Sequence, residues 1–207
     1  MLSQNAGRYS GGSASIGMGS CDGELSCQNG GRSGNLQVGA GSCTGIRGCG
    51  QGGRESGSSL IVGAGSCIGQ GTGPRSQRAC NGAGMEGTAE IGAGSCIGDR
   101  SCANLGAGGT ASVGDGSCLG FQSCFLVARD DGEVHIGDNS CTANRSCRAI
   151  GKSAVEELEN GSIQIGHGSC NCVGKHIHLL TCSCNKQTVT RSSLTNLERL
   201  LCLLEGW

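Results

Sequence analysis

One six-residue string governs what this chain can become: a branched apolar residue, Gly, any residue, a small residue, Ser and Cys. It begins at Ile16, Val38, Val62, Ile91, Val113, Ile136 and Ile165, at intervals of 22, 24, 29, 22, 23 and 29 residues. Self-similarity at such a period is the signature of a repeat architecture. Each start is preceded by a second apolar residue two positions earlier, giving Ala14/Ile16, Leu36/Val38, Leu60/Val62, Ala89/Ile91, Ala111/Val113, Val134/Ile136 and Ile163/Ile165. A spacing of two places both side chains on one face of a strand. The interleaved residues, among them Ser13, Ser15, Thr88, Glu90, Ser162 and Gln164, are small or polar, as on the outward face of a half-buried strand. A helix would need apolar recurrence at three and four, and each of its glycines would cost about 1 kcal/mol.

A single short strand cannot bury its apolar face, whereas strands from successive coils can stack and share an interior. The expected fold is therefore all-β: a right-handed parallel β-helix, or β-solenoid, of about seven coils with 22–29 residues per coil. Parallel crossovers set the expected hand. With a rise of about 4.8 Å per coil, seven coils span roughly 34 Å. The two longer repeats carry their extra residues in different places: one between Cys67 and Cys80, with the single proline Pro74, the other between Cys147 and Ile165, with the helix-prone run 154–159. Loops at coil corners tolerate such additions and strands do not.

The repeat fades after Cys184. Ser192 or Ser193 can cap an amphipathic helix with Leu194, Leu197, Leu200, Leu201 and Leu204 on one face and Glu198 and Arg199 opposite. Residues 1–184 are thus expected to form the Cys/Gly-rich solenoid and residues 185–207 a C-terminal cap with a capping helix. Such a cap is expected because a solenoid end exposes unpaired backbone. No comparable cap is visible at the other end, which leaves end-to-end self-association open.

Composition narrows the core and the partners. There are 42 Gly and 17 Cys, against two Phe, one Tyr and one Trp, so the interior has to be built from Ile, Val, Leu, Ala and Cys. The net charge is −1 and Lys and Arg form no cluster, which argues against nucleic acid or an anionic membrane as partner. No stretch is long and apolar enough for a membrane span, and residues 1–10 lack the layout of a secretory signal.

Twelve cysteines fall into two columns: Cys21/Cys27, Cys43/Cys49, Cys67/Cys80, Cys96/Cys102, Cys118/Cys124 and Cys141/Cys147. Three states fit this pattern. One is a disulfide within each coil, stapling a chain that has few large apolar groups. Another is two columns of reduced, buried thiols, and the third is bonding between adjacent coils. Oxidation would favour an extracellular or cell-surface location. The remaining cysteines are Cys170, Cys172, Cys182, Cys184 and Cys202. With His167, His176 and His178, the first four of these form the only cluster that looks like a zinc site. The competing reading is a degenerating repeat in which Cys pairs with Cys, and no metal or other cofactor is expected.

Over residues 14–172, on strings such as Ile136-Gly137-Asp138-Asn139-Ser140-Cys141, the chain resembles parallel β-helix proteins with short Cys/Gly-rich coils. It looks most like a group of tandem repeats built on an Ile-Gly-x-x-Ser-Cys core. The resemblance implies architecture and supplies no catalytic residues. The expected function is non-catalytic: a structural or interaction protein, adhesion- or matrix-like, whose rigid polar surface meets protein or polysaccharide. Two alternatives rest on analogy. Many parallel β-helices cleave polysaccharides, and here Asp130, Asp131 and Glu133 are the densest carboxylate group, in what reads as a turn. Insect ice-binding β-helices share the Cys staples but use a Thr-x-Thr column that this chain lacks. Calcium binding is hinted at by Gly108-Gly109 and Asp115, at the wrong period.

Overall fold

The computed structural model describes residues 11–70, 78–128, 132–148 and 162–168. Each of the seven apolar pairs lies on a four-residue strand: β1 Ser13–Ile16, β2 Asn35–Val38, β3 Ser59–Val62, β4 Thr88–Ile91, β5 Thr110–Val113, β6 Glu133–Ile136 and β7 Ser162–Ile165. The strands form one parallel sheet in chain order, β1 to β7. Equivalent residues pair without offset, so that Leu36 faces Leu60, Leu60 faces Ala89, and Val38, Val62 and Ile91 follow one another. This is a parallel β-solenoid, and no helix occurs among the described residues. The 154–159 run, residues 169–207 with the expected cap, and Cys170, Cys172, His176, His178, Cys182 and Cys184 lie outside the described residues.

In-register stacking turns the two apolar positions of each strand into interior columns. Leu36, Leu60, Ala89, Ala111 and Val134 are sealed from solvent, as nearly are Val38, Val62, Ile91, Val113, Ile136 and Ile165. Leu105 and Val127 are completely buried in the same cluster. At β1 the expected burial fails, because all four of its residues are exposed and Ile16 retains 38% of its surface. Among the described residues β1 pairs with β2 alone, so Ala14 and Ile16 are covered from one side only.

The ladder does not stop at the strand ends. The amides of the first six motif glycines donate to the apolar residue one coil on, as from Gly39 to Val62 at 2.7 Å, and those of the first cysteines in the first five coils donate to the next motif serine, as from Cys43 to Ser66 at 3.0 Å. The corners are turned by residues with left-handed backbone, including eleven of the twelve cysteines of the two columns, for example Cys43 at φ 56° and Cys96 at φ 57°. Such φ values are uncommon outside Gly, Asn and Asp. Here they let one residue both reverse the chain and keep its side chain inside.

Candidate functional site

Two surfaces repeat along the whole stack and are the candidates for function: the outward face of the sheet and the inward cysteine column. On the outward face, alternate strand positions form two columns. One runs Ser13, Asn35, Ser59, Thr88, Thr110, Glu133, and the other Ser15, Gln37, Ile61, Glu90, Ser112, His135, Gln164. Gln37, Glu90, Thr110, Glu133 and Gln164 are exposed. The first three members of the first column bond in succession: the Ser13 hydroxyl donates to Asn35 Oδ1 at 2.8 Å, and Asn35 Nδ2 to Ser59 Oγ at 3.4 Å. The outcome is a mostly polar array at strand spacing, interrupted by Ile61.

Inside, the six cysteine pairs are disulfide-bonded within their coils: Cys21–Cys27, Cys43–Cys49, Cys67–Cys80, Cys96–Cys102, Cys118–Cys124 and Cys141–Cys147, with Cα–Cα distances of 5.2–5.7 Å. All twelve are buried, eleven of them completely. Five bonds close a sequence separation of 6 and one closes 13, the longer one taking in the Pro74 insertion. Three groups of cysteine sulfurs lie within 4.8 Å of one another: Cys43, Cys49 and Cys67; Cys67, Cys80 and Cys96; Cys96, Cys102 and Cys118. Each group is one disulfide plus a sulfur from the next coil. In this state each offers no set of free thiolates to a cation.

A second column, half-buried at Ser20 and buried from Ser42 to Ser140, was present in the repeat string but carried no role there. The hydroxyls of Ser20, Ser42, Ser66, Ser95, Ser117 and Ser140 each donate to the motif-glycine carbonyl of the next coil, at 2.6–2.8 Å. The hydroxyls of the first five also accept the amide of the next serine, at 3.0–3.1 Å. One side chain therefore satisfies two main-chain groups at a corner where the strand pattern has ended. Ser66→Ala leaves the Gly92 carbonyl and the Ser95 amide buried without that partner. Unmade buried hydrogen bonds of this kind cost about 2 kcal/mol, and a urea denaturation midpoint should fall accordingly with unchanged slope; an unmoved midpoint would show that the column is dispensable.

The remaining candidates have ordinary partners. Glu133 Oε1 meets His135 Nε2 at 3.0 Å on the exposed face; Asp130 and Asp131 lie outside the described residues. The Asp115 carboxylate accepts the Ala93 amide at 2.7 Å, and Asp138 Oδ1 accepts the Asp115 amide at 2.9 Å, so both extend the ladder at a corner. His167 Nδ1 accepts the Asp138 amide at 3.1 Å and lies 3.3 Å from the Asp138 carboxylate. Phe121 and Phe125 are covered by the guanidinium groups of Arg145 and Arg148 at 5.6 and 5.5 Å from the ring centres. A notch of about 110 Å³ at one corner is lined by Leu25, Gln28, Arg47, Gly50, Gln51 and Asn81, well below the roughly 300 Å³ of a typical ligand cleft. Among the described residues no helix is long and apolar enough to cross a membrane. Compared with protein-family profiles, curated proteins and solved structures, the chain matches none.

Proposed function

We propose that this chain is a non-catalytic structural or interaction protein, a stapled rod whose outward sheet face meets an extended protein or polysaccharide. The observation that carries this is the register: seven strands in parallel without offset, presenting two outward columns that are polar except at Ile61, on a scaffold held by six buried disulfides. An extended polymer gains from such an array because each coil adds the same small contact, and a rigid surface has little side-chain freedom to lose on binding. The bonded cysteines are compatible with an oxidising compartment, and we place the protein outside the cell or at its surface. In this proposal the chain is one of the Cys/Gly-rich tandem repeats built on Ile-Gly-x-x-Ser-Cys. End-to-end association belongs to the same proposal, since the β1 edge offers main-chain groups for pairing beside the exposed Ile16 and Met18.

The test is retention of purified protein on insoluble polysaccharides and on immobilised matrix proteins, with Thr88→Arg/Thr110→Arg as the face variant. These two threonines are neighbours in one outward column. Long charged side chains there should lower retention at least about tenfold, equivalent to 1.4 kcal/mol, while leaving the folded state intact. Retention equal to that of the unaltered chain, or turnover of any of the offered polymers, refutes the proposal.

A further inference from the structure

We propose that the sulfur column from Cys43 to Cys118 is a path for thiol–disulfide exchange between coils, so that a broken staple is re-formed as a bond to the neighbouring coil. Exchange proceeds through three sulfurs, a thiolate attacking a disulfide. The column holds that set three times over. Cys67 lies within 4.8 Å of both sulfurs of Cys43–Cys49, Cys96 of both sulfurs of Cys67–Cys80, and Cys118 of both sulfurs of Cys96–Cys102. The sets share Cys67 and Cys96, which makes the path continuous over four coils. Every sulfur in it is completely buried, so external thiols and water are kept out and the accessible nucleophile is another member of the column. The terminal bonds Cys21–Cys27 and Cys141–Cys147 belong to no such set among the described residues.

The step balances without an oxidant. A lone thiol at Cys96 loses its proton, and its sulfur attacks Sγ of Cys80. The Cys80–Cys96 bond forms, the Cys67–Cys80 bond breaks, and the electron pair stays on the Cys67 sulfur, which takes up a proton. The number of disulfides is unchanged, and the thiol now faces Cys43–Cys49. Each move replaces a within-coil loop by a link between coils. A chain that has lost one staple thereby keeps adjacent rungs covalently tied. The column acts in this way whether or not the outward face binds a polymer.

The full oxidised chain carrying Cys102→Ser supplies the test, because it leaves Cys96 unpaired at the centre of the path. After folding and a timed incubation, thiols are trapped with a maleimide under acid and denaturant, and the labelled peptides are mapped. Label is expected at Cys67 and at other members of the column as well as at Cys96. The rate should rise about tenfold per pH unit while the thiol is mostly protonated, since the thiolate is the nucleophile. In Cys27→Ser the lone thiol at Cys21 belongs to no such three-sulfur set among the described residues, and label should stay there. Among the twelve cysteines of the six pairs, label confined to Cys96 in a folded Cys102→Ser chain overturns the proposal. Should that variant fail to fold, Cys49→Ser places the lone thiol at Cys43, beside Cys67, and is read in the same way.

Discussion

Reduced in denaturant and returned to native buffer with reductant present, this chain is expected to remain unfolded. The largest sealed side chains are Leu36, Leu60, Leu105, Val127 and Val134, after which come the cysteines themselves. Several of the equivalent interior positions are only alanine, as at Ala89 and Ala111. A core this thin gains little from burial, at about 25 cal/mol per Å² of apolar surface. The staples supply the difference. In the chain-entropy account, a loop as short as those of separation 6 contributes about 2 kcal/mol and the one of separation 13 about 3 kcal/mol. Six of them together match the whole stability of an ordinary domain, roughly 5–15 kcal/mol. Far-UV circular dichroism through a thermal scan is the measurement, with a midpoint fall of about 30 °C or more, or no folded baseline at all. A reduced chain that melts where the oxidised one does would show that the interior stands without its bonds.

The second large effect separates two glycines of one motif. A Cβ added at Gly63 would lie 2.6 Å from the Ala93 amide nitrogen and 2.7 Å from the Gly92 carbonyl carbon. Both are main-chain atoms of the next coil, held by their own ladder, so neither can swing aside. Gly63→Ala therefore has to open the stack between β3 and β4, at a cost of about 3 kcal/mol or more. Two residues on, Gly65 has φ +66° and nothing within 4 Å of its added Cβ. Gly65→Ala meets only the left-handed backbone penalty, about 1 kcal/mol. Urea midpoints of the two variants should thus differ by a factor of about three in lost stability. Equal losses would mean that the close approach of coils is not what demands glycine at position 63.

Much of this fold is legible in the sequence because the repeat is redundant. The pair Leu60/Val62 alone could sit on a strand or a helix, but seven pairs at one spacing, followed each time by Gly, Ser and Cys, leave parallel stacking as the way to bury them all. The strands, their order and their zero-offset register follow from that. The serine column was not legible in the same sense. Its place in the string is obvious, yet its task is to bridge to Gly92 or Gly114 one coil away, and that partner is more than 18 residues distant along the chain. Nor could propensity anticipate left-handed backbone at Cys43 or Cys96, since it is the covalent and steric closure of the corner that imposes it. The exposure of Ile16 depends on what lies beyond β1, a property of the stack's end rather than of its repeat. Function is less legible because the outward columns mix Ser, Thr, Asn, Gln, Glu, His and one Ile, and no single chemistry recurs.

Zero-offset pairing also bears on how such a chain changes length. Each strand meets its neighbours through the same two interior positions, so β3 offers β5 much the same surface that it offers β4. Removing residues 88–109 brings Leu60 opposite Ala111 and Cys67–Cys80 beneath Cys118–Cys124, with no other interior contact altered in kind. Gene segments encoding whole coils can therefore be lost or duplicated by unequal recombination without redesigning the remainder. Selection on such a lineage acts on the number of rungs as readily as on any residue within one.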